Sequence, residues 1–305
     1  MIGANGFIGS HLVDALVGAG HVVTAFDRFS GSGLPSFRSG GVTIRRGEFL
    51  SRSDLESAVQ GQDLVFHFLS TTSPATAEAD PTLDIRTNVA QTVELLESSA
   101  AAGVGHFYFA STGGAIYGPQ GRAAYVESDV AQPVSPYGIG KLAIEHYLRY
   151  FKALHGLSST ALRISNPYGT RQHPQKKQGL IPIALRQIAR GQPVVRLGDG
   201  SMVRDYIYVE DAVRMITDMV GRNPEHDVYN IGSGAGSTVS EVLEAIRTVV
   251  GAPFAVEERP VPATFVDRVV LDVSRYHREF GVPESTPLLE GIARTYRESS
   301  ESASR

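Results

Sequence analysis

Gly3-Ala4-Asn5-Gly6-Phe7-Ile8-Gly9 opens the chain, and its reading decides the fold. The glycines stand at G-x-x-G-x-x-G spacing, and residues 10–17 run on as a helix. Backbone N–H groups at such a helix start can hold a pyrophosphate, because glycine brings no Cβ to keep it away. Gly3, Asn5, Gly6, Phe7, Ile8 and Gly9 are therefore the first cofactor-binding candidates. Asp27 lies 18 residues beyond Gly9, at the end of a strand read over 21–26. A carboxylate about 20 residues on is placed to accept from a ribose 2′-hydroxyl, and it repels a 2′-phosphate. NAD is favoured over NADP.

Working outward, short β-rich runs at 42–46, 63–68, 105–110 and 158–164 alternate with helical periodicity at 82–102 and 136–155. Strands separated by helices imply a doubly wound parallel sheet covered on both faces, the Rossmann-type α/β class. Beyond residue 166 the rhythm shortens, with strands near 194–197, 205–208 and 228–230 and helices near 179–190, 209–220 and 238–250. The reading is an NAD-binding domain over 1–165, then a smaller α/β substrate lobe over 166–298 with segments returning to the first domain. A polar tail at 299–305 is expected to be disordered. Only Met1-Ile2 precede the glycine loop, which normally follows a buried strand. The first strand therefore reads as truncated, with lower stability and weaker cofactor affinity expected, and an upstream start stays open.

A net charge of −4 gives no electrostatic footprint for nucleic acid or an anionic membrane. The chain has no cysteine, which excludes disulfides, thiolate metal sites and cysteine nucleophiles. The nine histidines show no metal-ligand spacing, so no metal is expected. Without a long apolar run or a secretory leader, a cytoplasmic protein acting on a small molecule is the expectation.

Ser135-Pro136-Tyr137-Gly138-Ile139-Gly140-Lys141 carries the candidate chemistry. Tyr137 and Lys141 sit one helical turn apart on one face. A phenol near its free pKa of about 10 is a poor base at neutral pH, but a nearby ammonium and a nicotinium charge lower it. The phenolate can then take a proton from a sugar hydroxyl as hydride leaves the same carbon.

At these residues the chain resembles the extended short-chain dehydrogenase/reductase family, and its nucleotide-sugar epimerases in particular. The likeness runs from Gly3 to about Glu290, through the opening loop, Asn88 in Thr-Asn-Val-Ala-Gln-Thr, Phe-Ala-Ser-Thr-Gly-Gly-Ala-Ile-Tyr-Gly ending at Gly118, the Tyr137 motif, Leu-Arg-Ile-Ser-Asn-Pro-Tyr-Gly ending at Gly169, and the stretch from Gly198 to Val209. The resemblance implies Tyr137 as base, with Lys141 holding the nicotinamide ribose and tuning Tyr137. It implies Glu48 and Phe49 beside the adenine, Leu69, Ser70 and Asn88 on the nicotinamide side, and Ser111 among the cofactor-binding residues. Asn166, Leu180 and Arg204 would hold the nucleotide diphosphate of the sugar.

The chain departs from the family pattern in two places. The usual catalytic hydroxyl, four residues before Tyr117-Gly118, falls on Gly113; Ser111 and Thr112 are the remaining hydroxyls, and adjacent Thr112 or a water would supply the hydrogen bond. The second diphosphate arginine is expected around 259–268, with Arg259 and Arg268 both available. Val269 falls near the position that restricts the sugar's C2 substituent and is small enough to admit an N-acetyl group. Dehydratases of the family need an acidic pair after the strand-end threonine, whereas Gly113-Gly114 follow it here. The resemblance thus implies C4 epimerisation of a UDP-sugar, UDP-glucose/UDP-galactose leading, in a homodimer built through helices 84–102 and 136–155. A 4-keto nucleotide-sugar reductase or a dehydratase on the same scaffold is the enzymatic alternative. A non-catalytic NAD-binding sensor or scaffold is the alternative of another class.

Overall fold

The structure, a computed structural model, describes residues 1–30, 35–172, 179–262 and 264–303. The strands in chain order are β1 (Thr24–Asp27), β2 (Thr43–Arg46), β3 (Leu64–His67), β4 (His106–Thr112), β5 (Ser158–Ile164), β6 (Asn166–Tyr168), β7 (Val194–Leu197), β8 (Val203–Tyr208), β9 (Val228–Ile231), β10 (Gly236–Thr238), β11 (Val256–Arg259) and β12 (Arg268–Val269). The helices are α1 (Phe7–Gly18), α2 (Arg52–Val59), α3 (Pro74–Ala79), α4 (Pro81–Asp84), α5 (Ala90–Ala101), α6 (Gly113–Ile116), α7 (Pro136–His155), α8 (Leu180–Ala189), α9 (Val209–Asp218), α10 (Val239–Val250), α11 (Ser274–Phe280) and α12 (Leu288–Ala303).

β3, β4, β5 and β9 pair in parallel, and β1 pairs in parallel with β2. Ile2 joins these two pieces, bridging Phe26 on β1 and His67 on β3. Its N–H donates to Phe66 O (2.8 Å) and its carbonyl accepts from Phe68 N (2.9 Å), while Met1 O accepts from Phe26 N (2.9 Å). The order is β2–β1–Ile2–β3–β4–β5–β9. The reading of a truncated first strand is refined: two residues occupy the central position and make its hydrogen bonds to both neighbours.

Strand alternation sends side chains to two cores. Phe66, Tyr108 and Leu162 pack with Leu12, Val13 and Leu16 of α1 and Val213 and Ile216 of α9. Val65, Phe107 and Phe109 pack on the other face with Leu55, Leu95, Leu96, Ile144 and Leu148. β9 and α9 thus return to the first sheet from the C-terminal half. The remaining strands form β10–β8–β12, with β6 also on β8, and the pair β7–β11. These pack with α8, α10 and α12.

Two expectations change. The helix read over 82–102 is interrupted by a π-helical turn at Ile85–Val89 between α4 and α5. π-turns of this kind recur at functional sites. The tail expected to be disordered from Ser299 continues α12 as far as Ala303, and 304–305 lie outside the described residues. Among the described residues no helix is long and apolar enough to cross a membrane.

Candidate active site

The glycine loop turns sharply between Ile2 and α1. Gly3 adopts φ +85°, and a methyl group on it would come 2.7 Å from Leu69 N. A methyl group on Gly9 would come 2.0 Å from Gly3 O, so only glycine lets the first helical turn close onto the loop. The helix starts at Phe7 after Gly6, with no side-chain cap and no acidic residue in its first turn. Its end N–H groups and positive dipole end suit an anion. Asp27 stands over the loop: its carboxylate accepts from Asn5 N (3.0 Å) and Arg28 N (2.8 Å). Asn5 Oδ1 in turn accepts from Ser36 N (2.7 Å).

Glu48 is exposed after β2, and its N–H donates to Asp54 Oδ2 (2.8 Å). The Phe49 ring is buried and stacks on His67 (5.2 Å between centroids), so its aromatic face belongs to the core. Leu69 and Ser70 follow β3, and Ser70 Oγ donates to Thr72 O (2.8 Å). Asn88, on the π-turn, is buried: Oδ1 accepts from Thr71 N (2.9 Å), and Nδ2 donates to Thr72 Oγ1 and Asp84 Oδ1 (2.8 Å each). It therefore pins the loop after β3.

Local signals set the long helix that carries the pair. Ser135 caps α7, with Oγ accepting from Gly138 N (3.3 Å), Pro136 takes the first turn, and Gly156 at φ +68° ends it. Lys141 Nζ is buried, donates to Ala110 O (2.8 Å), and lies 4.7 Å from the Phe109 ring centre and 5.6 Å from that of Tyr137. Burial brings the ammonium down to about 8, against the pull of Asp84 and Glu145. In the chain without cofactor, burial and then Asp84 push the Tyr137 phenol up to about 12. The chain alone keeps this hydroxyl protonated at neutral pH.

The end of β4 divides its two hydroxyls between opposite faces. Ser111 Oγ donates to Glu145 Oε1 (2.6 Å), deep against α7, so this hydroxyl is committed to a carboxylate of the core and not to the cofactor side. Thr112 is the residue from which α6 starts. At Gly113 a methyl group would meet Leu271 Cδ1 at 2.5 Å and Arg163 O at 3.0 Å, so the family's hydroxyl position is filled by a distant leucine. Gly114 instead faces the Asn166 amide at 3.6 Å.

Asn166 Nδ2 donates to Asp205 O (3.0 Å). Leu180 begins α8 after Gly179. Arg204 does not pair with Asp205: its Nη1 donates to Val203 O (2.9 Å) and Asp267 O (3.3 Å), and desolvation lowers its pKa. Asp205 is fully buried and accepts from Ser233 N (2.9 Å), Ser233 Oγ (2.7 Å), Gly234 N (3.2 Å) and Leu271 N (3.2 Å). Arg259 stands on β11 and is ion-paired with Glu257 (2.8 Å), 56% exposed. Arg268 begins β12 instead, in a register that sets Arg268 opposite Val203 and Val269 opposite Arg204. Residues opposite one another share a face, so the Arg268 side chain lies on the Val203 side of the sheet and not on that of Arg204, and its Nε donates to Ala123 O (3.0 Å).

Residues 1–232 match a profile whose description is NAD dependent epimerase/dehydratase family. The chain belongs to that family. It is 32% identical over 299 residues to UDP-glucose 4-epimerase of Mycolicibacterium smegmatis, covering 96% of this chain and 95% of the relative. It is 33% identical over 308 residues to dTDP-glucose 4,6-dehydratase of Streptomyces griseus, covering 96% and 91%. The crystal structure of UDP-glucose 4-epimerase from Thermotoga maritima with UDP-glucose superposes with a TM-score of 0.91 at 33% identity, covering 99% of this chain and 98% of that one. Epimerases and dehydratases resemble the chain about equally. NAD is the cofactor of the family, and the residues present fit it: glycine at Gly3 and Gly9 lets the loop close onto the start of α1, where a Cβ would strike the backbone, and the Asp27 carboxylate is fixed on the loop by Asn5 N.

Three residues of this region escaped the sequence reading: Asp84, Glu145 and Leu271. The first two lie at helical spacing from residues already singled out, Asp84 four before Asn88 and Glu145 four after Lys141. That spacing was the available signal. Leu271 carries none, since its contact with Gly113 is made only by the fold.

Proposed function

We propose that the protein epimerises a UDP-sugar at C4, UDP-glucose/UDP-galactose leading, through a transient 4-keto sugar. The observation that carries this reading is the Gly113-Gly114 pair beyond Thr112. Elimination in the family needs an acidic pair there, whereas this chain has two glycines, and a side chain on Gly113 would press on Leu271 and come within 3.0 Å of the Arg163 carbonyl. Residues 1–165 are read as holding NAD, with Gly3–Gly9, Asp27 and the loop after β3 around it, and residues 166–298 as holding most of the sugar nucleotide.

Bound NAD supplies a carrier that takes hydride from C4 and gives it back. Tyr137 takes the O4 proton and later returns it. With its phenol held near about 12 in the chain alone, ionisation needs cationic neighbours, and Lys141 is the one the helix provides. Thr112 supplies the adjacent hydroxyl to O4. Arg204 anchors the diphosphate through its guanidinium fork, while Asn166 and Leu180 flank it. A firm anchor with a loosely held sugar lets the keto ring turn over between the two hydride transfers. The active form is read as a homodimer in the cytoplasm. Ile139, Tyr147, Tyr150 and Leu154 expose an apolar stripe along α7, and Ile85 is exposed on the π-turn.

The test is incubation of NAD-loaded protein with UDP-galactose and a coupled assay for UDP-glucose. Interconversion without net consumption of reduced cofactor is expected, and Tyr137→Phe abolishes it. Stoichiometric use of added NADH identifies a reductase, and a 4-keto-6-deoxy product a dehydratase; either result removes the epimerase reading. No turnover together with retained NAD binding leaves the sensor.

A further inference from the structure

Asp84 is buried at the end of α4, 3% exposed, and has no part in the reading above. Its Oδ1 accepts from Thr72 Oγ1 and from Asn88 Nδ2 (2.8 Å). Asn88 in turn holds Thr71 N (2.9 Å), and Leu69 of the same loop abuts Gly3. Asp84 Oδ2 lies against α7: a methyl group on Gly140 would come 2.0 Å from it. Gly140 stands between Tyr137 and Lys141 on the turn that carries both. One carboxylate therefore touches the loop beside the glycine cradle with one oxygen and the Tyr137–Lys141 turn with the other.

The groups facing Lys141 come from four elements. α4 brings Asp84, α7 itself brings Tyr137 and Glu145, β3 brings His67, and β4 brings the Ala110 carbonyl and the Phe109 ring. Glu145 is already matched by the Arg163 guanidinium (2.8 Å), and His67 is held neutral by burial. Among the described residues no arginine or lysine forms an ion pair with Asp84. A buried carboxylate without a counter-charge is costly, and Lys141, one residue beyond Gly140, feels its charge without closing an ion pair with it.

The geometry points to Asp84 as a positioning residue of the active site, clamping the Gly140 turn of α7 to the loop 69–72 and supplying the counter-charge for the Lys141 ammonium. The inference rests on the proposed roles of Tyr137 and Lys141 but not on the identity of the sugar. Asp84 also raises both neighbours, Lys141 and Tyr137, which is the direction a nearby negative charge gives.

The chain has four lysines, Lys141, Lys152, Lys176 and Lys177, so the Lys141 side chain can be followed by NMR of 13C-lysine-labelled protein without substrate. Asp84→Asn keeps the shape of the side chain. It is expected to lower the Lys141 midpoint by about one pH unit. In the loaded enzyme, kcat is expected to fall about tenfold with KM changed less than about twofold, as for an interaction that matters in the transition state. Gly140→Ala, which drives Oδ2 off the helix, is expected to move the midpoint the same way, and it serves if Asp84→Asn does not fold. An unchanged midpoint in a folded variant, or a wild-type kcat, overturns the proposal. If the midpoint moves while even the wild type leaves UDP-galactose untouched, the sugar assignment fails and the role of Asp84 stands.

Discussion

Arg163 and Glu145 form a two-pronged ion pair under the strand end that carries Thr112, with Nη2–Oε2 at 2.8 Å and Nε–Oε1 at 3.1 Å. Their side chains are 4% and 1% exposed. Ser111 donates to the same carboxylate, and Arg163 Nη1 donates to Tyr117 OH (3.0 Å), which donates to Asn230 Oδ1 (2.7 Å). The network ties α7, β4, β5 and β9 together. Arg163→Leu leaves the Glu145 carboxylate without its counter-charge and is expected to cost about 3–5 kcal/mol. Arg163→Leu with Glu145→Leu should recover most of that. Urea unfolding of the set checks it: a single variant no less stable than the double contradicts the buried-pair argument.

The two glycines of α1 should respond oppositely. Gly9→Ala sets a methyl 2.0 Å from the Gly3 carbonyl, backbone against backbone, so the cradle must open and NAD affinity should fall by more than about tenfold, or 1.4 kcal/mol. Gly18→Ala meets nothing within 4 Å, and should stabilise by about 0.5 kcal/mol from reduced chain entropy. NAD titration calorimetry and thermal melts of both variants measure the contrast.

Asp27→Ala removes the acceptor held by Asn5 N and Arg28 N and the charge that repels a 2′-phosphate. The lost hydrogen bonds to a charged group, about 1.5–3 kcal/mol, correspond to roughly 10–100-fold weaker NAD binding. NADP binding should weaken less or improve. An unchanged NAD/NADP ratio argues against Asp27 as the ribose reader.

Acid should loosen the fold through buried neutral histidines. His67, its Nε2 3.0 Å from Thr92 Oγ1, is pushed down to about 3 by burial, and His11 and His106 to about 4. Between the ordinary value near 6.5 and these folded values the unfolded chain binds more protons. Stability therefore rises with pH across that window and is lost on acidification. His67→Gln should reduce the slope of unfolding free energy against pH between 4 and 6 by up to about 1.4 kcal/mol per unit. Chemical unfolding at stepped pH reads it out, and parallel slopes refute it.

Tyr150→Glu and Leu154→Glu place charge in the apolar stripe of α7. If that stripe is the dimer contact, light scattering should show the wild type as a dimer and either variant as a monomer at micromolar concentration. A monomeric wild type removes the dimer from the reading.

Local chemistry in the sequence determined a good deal of this protein. The G-x-x-G-x-x-G loop, the Ser135-Pro136 start and Gly156 end of α7, and the alternation of strand and helix are short-range signals. The structure has α7 at Pro136–His155 and β5 at Ser158–Ile164, the bounds read from the sequence. Tertiary structure alone decided what depends on contacts far apart in the chain. Met1-Ile2 make a central strand position only because β1 and β3 offer hydrogen bonds on both sides. Leu271 comes against Gly113, the β8–β12 register sets Val269 and not Arg268 opposite Arg204, and Asp84 reaches Gly140 only through packing. Burial likewise raises the Tyr137 phenol in the chain without cofactor. Periodicity reports which side of an element is apolar, whereas desolvation and close approach depend on which other element covers it, and that is written only in the fold.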